Sequence, residues 1–236
     1  MAATALIVLA AVTPAVAQGA ESALCSRFGG GDFAAVALRQ VTLGENLYFI
    51  KAEDEDTTCP ANTENCLGKS YLVPGDQVLV MGMVNEFACT AFVDAKGAVT
   101  TGFLPKSRLE ESPPDRLAAA DDWEGTWKSE PLATLKLMPG KRGAYAILGD
   151  AVWASSKESM EQGSVNTGEL RGEAAPVDGV ISFAMSQNGQ VEAAEAGEFD
   201  CAIWMRRLGP YLLVKDNLNC GGHNVTFSGV YRRKGK

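Results

Sequence analysis

From residue 36 onward the chain is built of short apolar runs, each broken by Gly, Pro, Asn or Asp. No long apolar series at i, i+3, i+4 and i+7 competes with them past the first segment, so the pattern predicts an all-β protein. In the first half the predicted strands are Val36–Thr42, Glu45–Ala52, Tyr71–Val73, Gln77–Val84, Phe87–Val93 and Val99–Leu104. Turns fall at Pro74-Gly75-Asp76, Asn85-Glu86 and Asp94–Gly97, and a single helical turn is expected over Pro105–Leu109. In the second half the runs are Gly125–Lys128, Ala133–Met138, Ala144–Leu148, Ala151–Ala154, Val165–Ala174, Val180–Met185, a hairpin of Cys201–Leu208 with Tyr211–Asp216, and Val225–Arg233. Even spacing with short turns suggests an up-and-down meander, and about eight such strands can close into a barrel without free edges.

Met1–Ala17 carries no charged side chain and ends Ala15-Val16-Ala17 before Gln18, the small-x-small step that signal peptidase accepts. It predicts an export signal. Between the two runs of strands, residues 111–122 hold Pro113-Pro114, small residues and acids without strand periodicity, which marks a linker. The predicted organisation is thus a signal peptide at 1–17, a domain at 18–110, a linker at 111–122 and a domain at 123–236. Charge divides along the same lines: of the net −8, residues 18–110 carry −5, the linker −3, and the second half none. A chain this acidic repels phosphate backbones and anionic lipid, which argues against nucleic-acid binding.

All six cysteines, Cys25, Cys59, Cys66, Cys89, Cys201 and Cys220, follow the cleavage point, as an oxidising compartment favours. Sequence alone leaves the pairing open. Position favours Cys59 with Cys66 across a short polar loop, worth about 2–3 kcal/mol, and Cys201 with Cys220 across the hairpin, leaving Cys25 for Cys89. Zinc is a poor competitor, because no C-x-x-C spacing occurs and His223 is the only histidine.

The order Pro74-Gly75-Asp76-Gln77-Val78-Leu79-Val80, a central strand, then Gly102-Phe103-Leu104 and Leu109 resembles the bacterial SH3-like (SH3b) domain. The chain departs from that pattern in its Cys59–Cys66 insertion and in Phe103, where Trp is common. The resemblance implies a small barrel and a recognition module for cell-wall glycan or peptide, with Tyr48, Tyr71 and Phe87 as candidate contact residues. The second half opens Gly125-Thr126-Trp127 and closes on Arg232, which looks like the calycin pattern of lipocalins and their relatives. That resemblance implies a reduced eight-stranded up-and-down barrel with Trp127 plugging one end and Arg232 lying across the indole, a contact of about 0.5–2 kcal/mol. A packed interior is favoured over an open calyx.

No nucleophile, base and orienting group can be named together, so an enzyme is not expected. His223 lies in a polar Gly-rich segment, where Gly221-Gly222 is expected to supply positive φ beside a disulfide. The run Glu53-Asp54-Glu55-Asp56 reads as a solvated loop. The sequence therefore predicts an exported, periplasmic or secreted, non-catalytic binding protein. Its expected partner is cell-wall material or an envelope protein, and no cofactor, metal, nucleic acid or membrane span is expected. Two alternatives stand beside it: a carrier of a small apolar ligand in the second barrel, and an inhibitor of a lytic enzyme such as lysozyme that inserts the loop Asp216–Asn224.

Overall fold

The computed structural model describes Cys25 and residues 35–94, 97–112, 123–129 and 133–234. The expected signal peptide and residues 113–122 of the expected linker lie outside the described residues. The fold is all-β, in two antiparallel sheets.

The first sheet contains β1 (Ala37–Val41), β2 (Leu47–Ile50), β3 (Leu67–Leu72), β4 (Gln77–Val84), β5 (Phe87–Val93), β6 (Val99–Pro105) and β7 (Leu109–Glu111), in the order β3-β2-β6-β5-β4-β1-β7. The expected helical turn is a single 3-10 turn at Lys106–Arg108, after which β7 returns to pair with β1. β7 was not foreseen, because Leu109-Glu110-Glu111 is short and acidic and becomes a strand only through its partner.

The second sheet contains β8 (Gly125–Ser129), β9 (Ala133–Pro139), β10 (Tyr145–Trp153), β11 (Asn166–Ala174), β12 (Val180–Ser186), β13 (Gly189–Val191), β14 (Cys201–Leu208), β15 (Tyr211–Asp216) and β16 (Gly229–Arg233). Its order is β11-β10-β9-β8-β16-β15-β14-β12-β13, so the first strand pairs with the last and the barrel is nearly closed. A short helix, α1 (Lys157–Glu161), connects β10 to β11, with the Ser156 side chain capping the amide of Ser159 at 3.0 Å.

Where two strands were expected on either side of Gly149-Asp150, β10 runs through. Gly149 marks no turn: a Cβ there would lie 2.6 Å from Leu135 Cδ2 and 3.0 Å from Phe227 Cε1, so the missing side chain makes room for core atoms. On β11 a Cβ at Gly172 would meet the Phe183 ring at 2.4 Å. Bare backbone at these positions lets aromatic rings fill the barrel. Trp127, Leu135, Ile147, Phe183, Ile203, Met205, Phe227 and Tyr231 pack there, all at most 1% exposed.

Among the described residues, no backbone pairing joins β11 to β12 or to the short β13 beside it. Side chains bridge this line. The Glu173 amide donates to Gln190 Oε1 and Gln190 Nε2 donates to Glu173 O, both at 2.7 Å, so one amide side chain imitates a rung of a ladder. The Arg171 amide adds a contact to Met185 Sδ at 3.1 Å.

The two sheets share a core. On β15 the even residues Leu212 and Val214 point into the barrel, while Tyr211 and Leu213 pack outward with Val230 against Val36, Leu38, Leu79, Ala91 and Val93 of the first sheet. Tyr211 Oη donates to Gln77 O (3.1 Å), Arg206 Nη1 to Val36 O (3.0 Å) and Arg232 Nη1 to Val93 O (3.0 Å). Strands buried on both faces read as unbroken apolar runs, which is why Tyr211–Val214 shows no alternation.

Burial pushes the Tyr211 hydroxyl up to about 12, with Asp76 adding to the rise and Arg232 opposing it; Tyr231, deeper in the barrel, is pushed up further by burial and by Asp216. A raised phenol favours the folded state below the ordinary tyrosine range, and that contribution fades as pH climbs through the folded value. Urea unfolding midpoints should therefore fall between pH 10 and 12, and Tyr211→Phe should flatten the fall; equal slopes for both proteins would contradict this. Gly172→Ala should destabilise by roughly 1–3 kcal/mol through overpacking. Denaturation of the variant, alone and combined with Phe183→Leu, checks this, since the smaller partner should restore part of the loss.

Candidate functional site: an exposed tyrosine pair

Tyr48 on β2 lies directly opposite Tyr71 on the edge strand β3. Their flanking residues Leu47, Phe49 and Leu72 point into the core, so the strand alternation turns both tyrosines outward. The rings stand 5.4 Å apart, tilted by 52°, with 42% and 51% of each residue exposed. Leu67 at the start of β3 and Val73 just past its end are also exposed, with the exposed Lys69 between Leu67 and Tyr71. Phe87 does not join it. That ring is buried with Cys25, Ile50, Cys89 and Phe103, because β5 is covered almost along its whole length. The predicted trio is therefore a pair.

Next to the pair, β2 runs into the loop that holds Glu53–Asp56. Glu55 accepts from the Ala52 amide (3.2 Å), and Asp56 accepts from the amide (3.0 Å) and hydroxyl (2.7 Å) of Thr58. Those bonds hold the Asp56 carboxyl below the usual carboxylate range. The acids organise a turn, and Lys51 Nζ closes it on Asn65 O at 2.7 Å.

All six cysteines pair as their positions favoured: Cys25–Cys89, Cys59–Cys66 and Cys201–Cys220. The last has its Cα atoms 4.6 Å apart and pins the loop after β15 to the start of β14.

Trp127 is fully buried in the barrel cluster, and its indole N–H donates to Trp123 O at 3.0 Å. The cation over it is not Arg232. Arg233 lies 4.8 Å and Arg207 4.4 Å from the ring centroid, while Arg232 sits 5.8 Å over Tyr211. Register explains the correction: Arg233 stands opposite Trp127, whereas Arg232 stands opposite Lys128 and Tyr211 and so points to the other face. Gly125 is required here, with φ +134° and the Arg233 side chain only 3.3 Å from where a Cβ would be. Arg207 left no signal in the sequence beyond its place in the strand.

A cavity of about 510 Å³ opens on the unpaired line, lined by Ala144, Glu173, Ser182, Phe183, Gln190 and Glu192 among others. His223 is exposed, and its carbonyl accepts from Asn166 Nδ2 at 2.8 Å. Asp216 is buried and accepts from Thr226 Oγ1 (2.8 Å), Ser228 Oγ (2.8 Å) and the Phe227 amide, which makes it a structural anchor for the segment 217–228. Neither Gly221 nor Gly222 supplies positive φ: that geometry falls on Leu218 and Asn224, and Gly221 instead allows its backbone to approach Gly168 and Val225. Among the described residues no group of three His, Cys, Asp or Glu gathers to hold a metal ion, and no helix is long and apolar enough to cross a membrane.

The chain matches no protein-family model, no curated protein and no solved structure.

Replacing both Cys201 and Cys220 by Ser should cost about 3 kcal/mol, the chain-entropy value for the 19-residue separation. Thermal unfolding of the variant beside the parent checks the figure.

Proposed function

We propose that this is an exported, non-catalytic binding protein of the cell envelope, periplasmic or secreted, whose first half contacts cell-wall glycan or peptide through Tyr48 and Tyr71. The observation that carries the reading is the solvent-facing tyrosine pair on an edge strand. Paired exposed rings, tilted against each other, supply two apolar faces with a hydroxyl on each, suited to sugar faces and extended peptides. The resemblance to the SH3-like module is supported by the return of β7 to β1 after the 3-10 turn. The calycin-like reading of the second half is supported by its meander order, the pairing of β8 with β16, and the arginines over Trp127. Three disulfides are in keeping with an oxidising compartment outside the cytoplasm. The alternative of an apolar-ligand carrier has less support, because the buried cluster packs the interior. The cavity on the β11–β12 line carries Glu173, Ser182, Gln190 and Glu192 in its lining, a poor match for an apolar guest.

Co-sedimentation with purified peptidoglycan tests the proposal. The protein should pellet with the wall, and the double variant Tyr48→Ala/Tyr71→Ala should bind about tenfold more weakly, the effect of losing roughly 1.4 kcal/mol. Failure of the parent to pellet, or equal binding by the variant, would refute it.

A further inference from the structure

The β14–β15 hairpin meets the first half at its Leu208–Tyr211 end. Its other end, about 23 Å away at roughly 3.3 Å per residue along β14, carries two loops fastened together. Asn217 Nδ2 donates to Asp200 O (2.8 Å), Asn217 Oδ1 accepts from the Ala202 amide (3.1 Å), and Asn219 Nδ2 donates to Glu198 O (2.8 Å). The Gly197 amide donates to Asp200 Oδ2 (2.9 Å), and the Cys201–Cys220 disulfide closes the base.

On this frame stand Phe199, 83% exposed, and Leu218, 70% exposed. Single exposed apolar side chains are ordinary. Two of them on adjoining loops, each held by side-chain amides and outside every apolar cluster of the described residues, are a display. Leu218 also sits at φ +67°, a conformation that Gly or Asn adopts with little strain and Leu does not. Beside the pair lies a shallow depression of about 410 Å³, lined in part by Met185, Asn219 and Gly222. The loop around Phe199 carries Glu192, Glu195, Glu198 and Asp200 and no basic residue.

The geometry points to a docking knob: Phe199 and Leu218 insert into the open cleft of a cationic protein, and the four acids face its basic rim. Apolar anchors inside a charged ring are the arrangement of an interface hot spot, and pinned loops lose little freedom on binding. The site uses none of the residues proposed to contact the wall, so the two readings stand or fall separately. It also narrows the inhibitor reading: within the loop Asp216–Asn224 the inserting side chain is Leu218, and Phe199 joins it from the neighbouring loop.

Lysozyme, a basic protein with an open cleft, serves as the probe. Calorimetric titration at low salt, together with hydrolysis of a soluble oligosaccharide substrate, should show a complex that slows cleavage. Phe199→Ala and Leu218→Gly should each weaken it at least tenfold, as should added salt, while Tyr48→Ala/Tyr71→Ala leaves it unchanged. Leu218→Gly relieves the backbone strain and so should keep or raise Tm, which separates lost binding from lost folding. No complex at low salt, parental affinity in both loop variants, or uptake by phosphatidylcholine vesicles in place of lysozyme overturns the proposal.

Discussion

Burial of the outer face of β15 and β16 beneath β4 and β5 is the contact on which the rest of the structure depends. It joins two sheets that are each incomplete without it, since Tyr211, Leu213 and Val230 would otherwise be bare on the barrel wall. Magnitudes decide what holds the junction. Each fully buried Leu or Val contributes about 1.5–3 kcal/mol, and the shared cluster holds eight buried apolar residues. The Tyr211 bond contributes about 1 kcal/mol net and the two arginine bonds about 1.5–3 kcal/mol each. Apolar burial therefore supplies the affinity, and the bonds to Gln77, Val36 and Val93 set the angle at which the sheets meet. Arg232 belongs to that junction, because it reaches Val93 and covers Tyr211.

Inside the second sheet the governing limit is volume. Large rings can occupy a small barrel only where the opposite wall is stripped to backbone, and Gly149 and Gly172 provide that wall for Phe227 and Phe183. Trp127 lies in the same cluster beneath Arg207 and Arg233. The interior cluster leaves its open space at the β11–β12 line, where the cavity borders Phe183.

Much of this was legible in the chain. The ranges of β4 and β5 follow from apolar runs bounded by Gly-Asp and Asn-Glu turns, and the disulfide pairs follow from loop position. What was lost was lost for physical reasons. β7 and β13 are too short and polar to announce themselves and exist because a partner strand recruits them. Gly149 mimicked a turn because sequence cannot distinguish a glycine that bends the chain from one that admits a neighbour's side chain. The choice between Arg232 and Arg233 depended on register, a single-residue offset that flips every side chain to the opposite face. Tyr48 and Tyr71 were legible as candidates, but their separation from Phe87 depended on the first half's own packing, which buries Phe87 among Cys25, Ile50, Cys89 and Phe103.

The Gln190 clasp gives the barrel a fastener unlike its other joints. Elsewhere, neighbouring strands are stitched by successive backbone bonds that must yield together. At the clasp a single side-chain rotation frees both bonds to Glu173. Breathing motions of the barrel should concentrate on this line, letting water reach the Phe183 side of the interior while the opposite wall, where β8 meets β16, stays shut.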